Sequence, residues 1–146
     1  MSQVKTVTPG EALALLQEGY AYVDVRNELE FEQGHPAGAY TVPITLQTDF
    51  GPEPNDQFIE VVSKHFVLDA KLIVGCATGV RSGRPARLLT DAGFTNVIDQ
   101  KSGFNGSRDP FGQKSPGWLD SGLPIEVGQP EGKSYEALSA TPSDDD

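Results

Sequence analysis

Residues 71–93 join a short apolar run to a helical stretch through a loop that carries the chain's only cysteine. The run from Lys71 to Val74 is typical of a buried parallel strand. The following residues predict a loop over Cys76–Arg81 and a helix that opens at Ser82 and closes at residue 93. Pro85 is compatible with this start, because a missing N–H costs nothing in the first helical turn. A strand, a loop and a helix in this order are typical of α/β proteins.

Similar alternations recur along the chain. Thr8–Glu11 has the pattern of a capping box, and the helix that it opens is expected to stop at Gly19. Residues 20–25 predict a strand that is buried on both faces. From Asn55, taken as a polar cap, apolar residues recur at helical spacing as far as Phe66. Strands that alternate with helices predict a parallel sheet with helices on both of its faces.

Cys76 occupies a position where a thiolate is stabilised. Backbone N–H groups of such a loop, together with a helix N-terminus, form a cradle for negative charge. A nearby cation at Arg81 lowers the pKa of the thiol and makes it a better nucleophile. A lone cysteine is more often a small buried core residue. The loop position, with Gly79 and Arg81, favours a catalytic nucleophile instead.

Composition narrows the class of protein. The chain has 146 residues, 21 acidic against 11 basic residues, and a net charge of −10. This charge disfavours binding to nucleic acids or to anionic membranes. A single cysteine excludes an internal disulfide, and the N-terminus lacks the pattern of a signal peptide. We therefore expect a soluble, cytoplasmic monomer, with one domain over residues 1–127 and an acidic, disordered tail over residues 128–146.

Three groups of residues resemble the rhodanese family of sulfurtransferases. The first is its active-site loop, C-x-x-G-x-R-S, here Cys76-Ala77-Thr78-Gly79-Val80-Arg81-Ser82. The second is a series near the N-terminus, D-V-R at 24–26, E-F at 30–31, G-H at 34–35 and G-A at 38–39. The third is a closing series, G-F at 103–104, Trp118 and G-L-P at 122–124. The resemblance spans about residues 4–127 and implies a central parallel sheet of about five strands.

The resemblance implies sulfur transfer through a persulfide on Cys76. The donor is a small anionic sulfur compound such as thiosulfate, and the acceptor is a thiol, cyanide or a protein. Backbone N–H groups of the loop, together with Arg81, are expected to bind the anionic sulfur, at residues Ala77, Thr78, Gly79, Val80 and Arg81. No metal or organic cofactor is implied. Asp24 and Arg26, at the end of a buried strand, are expected to form a structural ion-pair network, and Ser82 to support the loop.

Two other functions stay open at this point. Phosphatases and arsenate reductases of the same fold place five residues between Cys and Arg, whereas four intervene here, Ala77 to Val80. The second alternative is a sulfur carrier or regulatory binding module with little turnover of small molecules, since Ala77 and Thr78 bring no charge beside the sulfur. His35 and His65 have no metal-ligand spacing with Cys76.

The sequence departs from the rhodanese pattern at an insertion. Ser102 replaces the first glycine of the closing series, and residues 105–117 separate its G-F pair at 103–104 from Trp118. The insertion follows a strand at residues 96–98 and is predicted to leave the sheet at the same edge as the loop of Cys76. Arg108 and Lys114 either line the pocket or are solvated, and solvation is favoured.

Overall fold

The computed structural model describes residues 5–75, 83–100, 103–108, 111–128, 133 and 135–140. Its elements in chain order are β1 (Lys5–Val7), α1 (Pro9–Gln17), β2 (Ala21–Asp24), α2 (Glu28–Gln33), β3 (His35–Pro36), β4 (Tyr40–Thr41), β5 (Thr45–Thr48), β6 (Gly51–Pro54), α3 (Phe58–His65), β7 (Lys71–Gly75), α4 (Gly83–Asp91), β8 (Asn96–Gln100), β9 (Ser107–Arg108), β10 (Lys114–Ser115), β11 (Ile125–Glu126) and α5 (Tyr135–Ala140). No helix within these ranges is long and apolar enough to cross a membrane.

A five-stranded sheet in the order β1-β8-β7-β2-β4 forms the centre of the fold, and each neighbouring pair is parallel. The predicted α/β class and the parallel sheet of about five strands are thereby confirmed. Because the strands are parallel, their carboxyl ends share one edge. We call this edge, at Asp24, Thr41, Gly75 and Gln100, the carboxyl edge.

Helices cover both faces of the sheet, as predicted. Successive side chains of a strand point to opposite faces. Leu72 and Val74 accordingly pack with residues of α3, α4 and α5, whereas Ile73 packs with residues of α1 and α2 and with Trp118. The sheet is therefore buried on both sides.

Local signals explain where most helices begin. Thr8 caps α1: its Oγ1 accepts from the Glu11 N–H at 3.2 Å, while the Glu11 carboxylate accepts from the Thr8 N–H at 2.9 Å. The predicted capping box is confirmed. The predicted cap of α3 was wrong, because the helix begins at Phe58 and its N-cap is Gln57 rather than Asn55. The buried Asn55 amide instead donates to the Pro43 carbonyl and to the Tyr135 hydroxyl.

The expected disorder of residues 128–146 is wrong for residues 135–140. These residues form α5, and Tyr135 and Leu138 are buried against the α3 side of the sheet. The His65 Nε2–H donates to the Leu138 carbonyl at 2.8 Å. The two apolar side chains are three residues apart, and so lie on one face of the helix. Burial of that face explains why a segment of polar composition is ordered here.

Candidate active-site edge

The predicted catalytic loop lies outside the described residues, and the structure describes only the residues that flank it. The residues concerned are Cys76, Ala77, Thr78, Gly79, Val80, Arg81 and Ser82. The loop leaves Gly75, the last residue of β7, and enters α4 at Gly83. Its attachment points therefore lie at the carboxyl edge of the central strand and at the N-terminus of a nine-residue helix.

Gly75 fixes the exit of the chain towards Cys76. It pairs with Asp24 of β2, and its carbonyl accepts from the Val25 N–H at 2.9 Å. A Cβ at position 75 would overlap the hydroxyl group of Tyr22, whose side chain is buried. A residue larger than glycine would therefore displace Tyr22 or the start of the loop.

Tyr22 belongs to a buried polar network that extends to β8. The Gln100 Nε2 donates to the Tyr22 hydroxyl at 3.3 Å and to the Gly103 carbonyl at 2.8 Å. The Gly103 N–H donates back to Gln100 Oε1 at 2.9 Å. Sequence reasoning missed this network. The available signal was a glutamine shortly after the apolar pair Val97-Ile98 of β8, since a buried amide needs partners.

Asp24 and Arg26 form the ion pair that their position at a strand end predicts. The Arg26 Nη2 donates to Asp24 Oδ2 at 2.8 Å, and Nε donates to Oδ1 at 3.0 Å. The Arg26 backbone N–H also donates to Oδ1 at 3.0 Å. Both side chains are almost fully buried. The pair therefore closes the end of β2 beside Gly75.

Arg26 also holds two neighbouring segments against this edge. Its Nη2 donates to the Gly34 carbonyl at 2.5 Å, and its guanidinium lies 4.2 Å from the ring centroid of Phe104. A cation placed over an aromatic face is attracted by the ring quadrupole. Beside these groups lies a small cleft of about 140 Å³, also lined by Glu30 and Asn105. Phe104 thereby ties the root of the 105–117 insertion to β2.

The insertion contains a short antiparallel strand pair. Strands β9 and β10 are antiparallel, with Arg108 paired to Lys114. At its base the Trp118 N–H donates to the Gly103 carbonyl at 2.9 Å. The insertion follows β8 and therefore leaves the sheet at the carboxyl edge, as predicted. The side chains of Arg108 and Lys114 lie outside the described part of the structure.

His35 is buried, and its ring contacts residues of α2 and β11. Its ring stacks on Phe31 at 3.7 Å between centroids, and its Nδ1 lies 2.7 Å from the Phe31 carbonyl. Its Nε2 lies 3.5 Å from a carboxylate oxygen of Glu126, on the strand that pairs with β3. A hydrogen bond from the Gly38 N–H lowers the pKa of the Glu126 carboxyl. Within the described ranges, no group of three His, Cys, Asp or Glu side chains has the arrangement of a metal site.

Comparison with known protein families identifies the family of this chain. The sequence pattern of the Rhodanese-like domain matches residues 8–109. The chain belongs to the rhodanese-like domain family. Its matched region contains both the Asp24–Arg26 pair and the complete segment from Cys76 to Ser82.

Individual relatives agree with this membership. The chain is 39% identical over 113 residues to Thiosulfate sulfurtransferase 16, chloroplastic, of Arabidopsis thaliana, covering 77% of this chain and 85% of that protein. It is 31% identical over 123 residues to Thiosulfate sulfurtransferase GlpE of Haemophilus influenzae, covering 84% and 95%. For two other plant relatives, the matched part spans 57% of their length.

A solved structure shares the fold over most of the chain. The crystal structure of Rv0390 from M. tuberculosis superposes with a TM-score of 0.72 at 28% identity, covering 87% of this chain and all of that one. The named relatives support a rhodanese-like sulfurtransferase family as the class of this protein.

Proposed function

We propose that this protein is a sulfurtransferase that carries sulfane sulfur as a persulfide on Cys76. The observation that carries the proposal is the position of the C-x-x-G-x-R-S segment, directly after Gly75 at the carboxyl edge and directly before α4. This is where ligands meet open α/β sheets. A helix N-terminus at the same place favours anionic groups. The likeness to proteins named thiosulfate sulfurtransferase supports the same reaction class.

The proposed first step is a displacement at sulfur. The Cys76 thiolate attacks the outer sulfur of a donor such as thiosulfate, and a new S–S bond forms. The former S–S bond breaks, and its electron pair leaves with sulfite. In this proposal, backbone N–H groups of residues 77–81 and the Arg81 guanidinium bind the anionic sulfur, and Ser82 supports the loop. The Asp24–Arg26 pair holds the adjacent strand end in place.

In the second step the persulfide passes to an acceptor. A thiolate or cyanide attacks the outer sulfur, the persulfide S–S bond breaks, and the electron pair returns to Cys76. The bound sulfur itself is the carried group, so the cycle needs no net oxidant or reductant. Only four residues lie between Cys76 and Arg81. This short spacing favours binding of a sulfur atom over binding of the tetrahedral oxyanion that a phosphatase accepts.

Cys76→Ser tests this function directly. The variant is expected to keep the fold and to lose sulfur transfer, because a hydroxyl is far less nucleophilic than a thiolate. After incubation with thiosulfate, intact-protein mass spectrometry should show the gain of one sulfur atom in the wild type and no gain in the variant. An aryl phosphate serves as the substrate control. Turnover of the phosphate without any persulfide, or sulfur transfer by a folded Cys76→Ser protein, would overturn the proposal.

A further inference from the structure

A largely apolar groove lies beside the carboxyl edge. It is about 540 Å³ in volume and is lined by residues at the start of α2, in the β4–β5 connection, in β5 and in α5, among them Leu29, Pro43, Leu46 and Tyr135. Leu29 is 64% exposed. We call this feature the α2–β5 groove. An exposed leucine beside an apolar depression is a typical feature of a contact site for another molecule.

The α2–β5 groove lies close to where the catalytic loop leaves the sheet. Asn27, which lines it, follows Asp24 by three residues, and Asp24 is the register partner of Gly75. The Ile44 N–H donates to the Val25 carbonyl at 3.1 Å, which holds the entry to β5 along the end of β2. A molecule in the groove would therefore sit on the β2–β4 side of Gly75, the last residue of β7.

Acidic residues border this groove on its α2 side and along the β5–β6 hairpin. Residues 27–63 contain seven acidic residues and no lysine or arginine. Glu28 lines the groove. Glu53 is the register partner of Leu46 in the β5–β6 hairpin, and directly opposed residues of antiparallel strands present their side chains on the same face. The apolar groove is therefore bordered by carboxylates.

The acidic border of the α2–β5 groove indicates which kind of molecule binds there. A second copy of the chain carries a net charge of −10, and the chain's own terminal segment ends in Asp144, Asp145 and Asp146. Both are repelled by an acidic border. We propose that the α2–β5 groove docks a basic protein that presents an apolar side chain flanked by lysine or arginine, and that a thiol of this protein accepts sulfur from Cys76.

The acceptor step rests on the proposed function. The docked thiolate forms a bond to the outer persulfide sulfur, the original S–S bond breaks, and its electron pair returns to the Cys76 sulfur. The partner leaves as a persulfide, and its lost thiol proton goes to solvent. Docking at the carboxyl edge would hold the acceptor thiol on the same protein as the persulfide, which lowers the entropic barrier of a bimolecular step.

The binding test uses two fluorescein-labelled peptides, Lys-Arg-Leu-Ser-Lys-Arg and its acidic counterpart Glu-Asp-Leu-Ser-Glu-Asp. Fluorescence anisotropy should show salt-sensitive binding of the basic peptide only. Leu29→Ser should weaken that binding about fivefold through lost apolar burial. Glu53→Gln should weaken it and reduce its dependence on salt.

Matched controls remove the same groups elsewhere on the surface. Val67→Ser replaces a residue that is 69% exposed, and Glu18→Gln removes an exposed carboxylate next to α1. Neither should change peptide binding. Equal binding of the two peptides, unchanged binding by Leu29→Ser, or equal effects of Glu18→Gln and Glu53→Gln would overturn the docking proposal. So would concentration-dependent self-association that Leu29→Ser abolishes, since the occupant would then be a second copy.

The transfer test separates docking from chemistry. The serine of the basic peptide is replaced by cysteine, and dithiothreitol serves as a small neutral acceptor. Leu29→Ser should lower kcat/KM for the peptide about fivefold and leave that for dithiothreitol unchanged. An equal loss with both acceptors would contradict the docking role. Absence of any persulfide in the wild type would refute the proposed function and the acceptor role, while the peptide-binding result would still decide whether the groove docks a basic partner.

Discussion

Arg26 joins three parts of the carboxyl edge through one guanidinium. It pairs with Asp24 at the end of β2, donates to the Gly34 carbonyl after α2, and lies over the Phe104 ring at the root of the 105–117 insertion. A buried charge without a partner is strongly unfavourable, whereas a fully paired one is tolerated. The stability of this edge therefore depends on both partners being present together.

Arg26→Met should lower the free energy of unfolding by about 3–5 kcal/mol, because it leaves the Asp24 carboxylate buried without its cation. The double variant Asp24→Asn/Arg26→Met should lose less than the sum of the two single losses, because both charges are then absent. Urea unfolding measures these differences. Arg87→Met, at an exposed position of α4, is the control and should change stability by no more than about 0.5 kcal/mol. Additive losses in the cycle would show that the pair is not coupled.

Individual residues differ in how well the sequence predicts them. The ion pair of Asp24 and Arg26 was predictable, because charged residues at the end of a buried strand need partners. The contact between Tyr22 and Gly75 was not. These residues are 53 positions apart in the sequence, and only the register of β2 against β7 brings them together. Local sequence patterns give no information about that register.

Helix α5 could not be predicted from the polar composition of residues 128–146. It has six residues, which is too short for a helix to be stable alone in water. Its order comes from tertiary contacts: Tyr135 reaches Asn55, and the Leu138 carbonyl accepts from His65. By contrast, the capping box at Thr8 is entirely local, and the sequence predicted it correctly. Elements defined by local signals are predictable, and elements held by distant partners are not.

Leu138→Ala should lower the free energy of unfolding by about 2–5 kcal/mol, because the Leu138 side chain is only 2% exposed and its loss leaves a cavity against α3. Thermal or urea unfolding measures the effect. Val127→Ala removes apolar carbons at a position that is 71% exposed and should be nearly neutral. Equal stability of the two variants would mean that α5 adds nothing to the stability of the domain.

The architecture of the whole molecule was the easiest level to predict. Alternating strand and helix patterns allow few topologies, and parallel strands joined by helices place the ends of those strands at one edge. The edge that receives the Cys76 segment therefore followed from the sequence. The β5–β6 hairpin and the groove beside it did not, because their position depends on how the connection after β4 packs along β2.

Net charge acts on the whole molecule and makes a prediction about reagents that approach Cys76. A chain with a net charge of −10 repels an anion at long range, and salt screens this repulsion over about 10 Å at 0.1 M ionic strength. Alkylation of Cys76 by anionic iodoacetate should therefore accelerate with added salt relative to alkylation by neutral iodoacetamide, which carries no charge to screen. The rate with iodoacetate divided by the rate with iodoacetamide, measured by mass spectrometry at constant pH, should rise about two- to fivefold between 10 and 200 mM salt. A ratio that falls with salt would show that the local positive field of Arg81 and the start of α4 outweighs the charge of the whole molecule at the thiol.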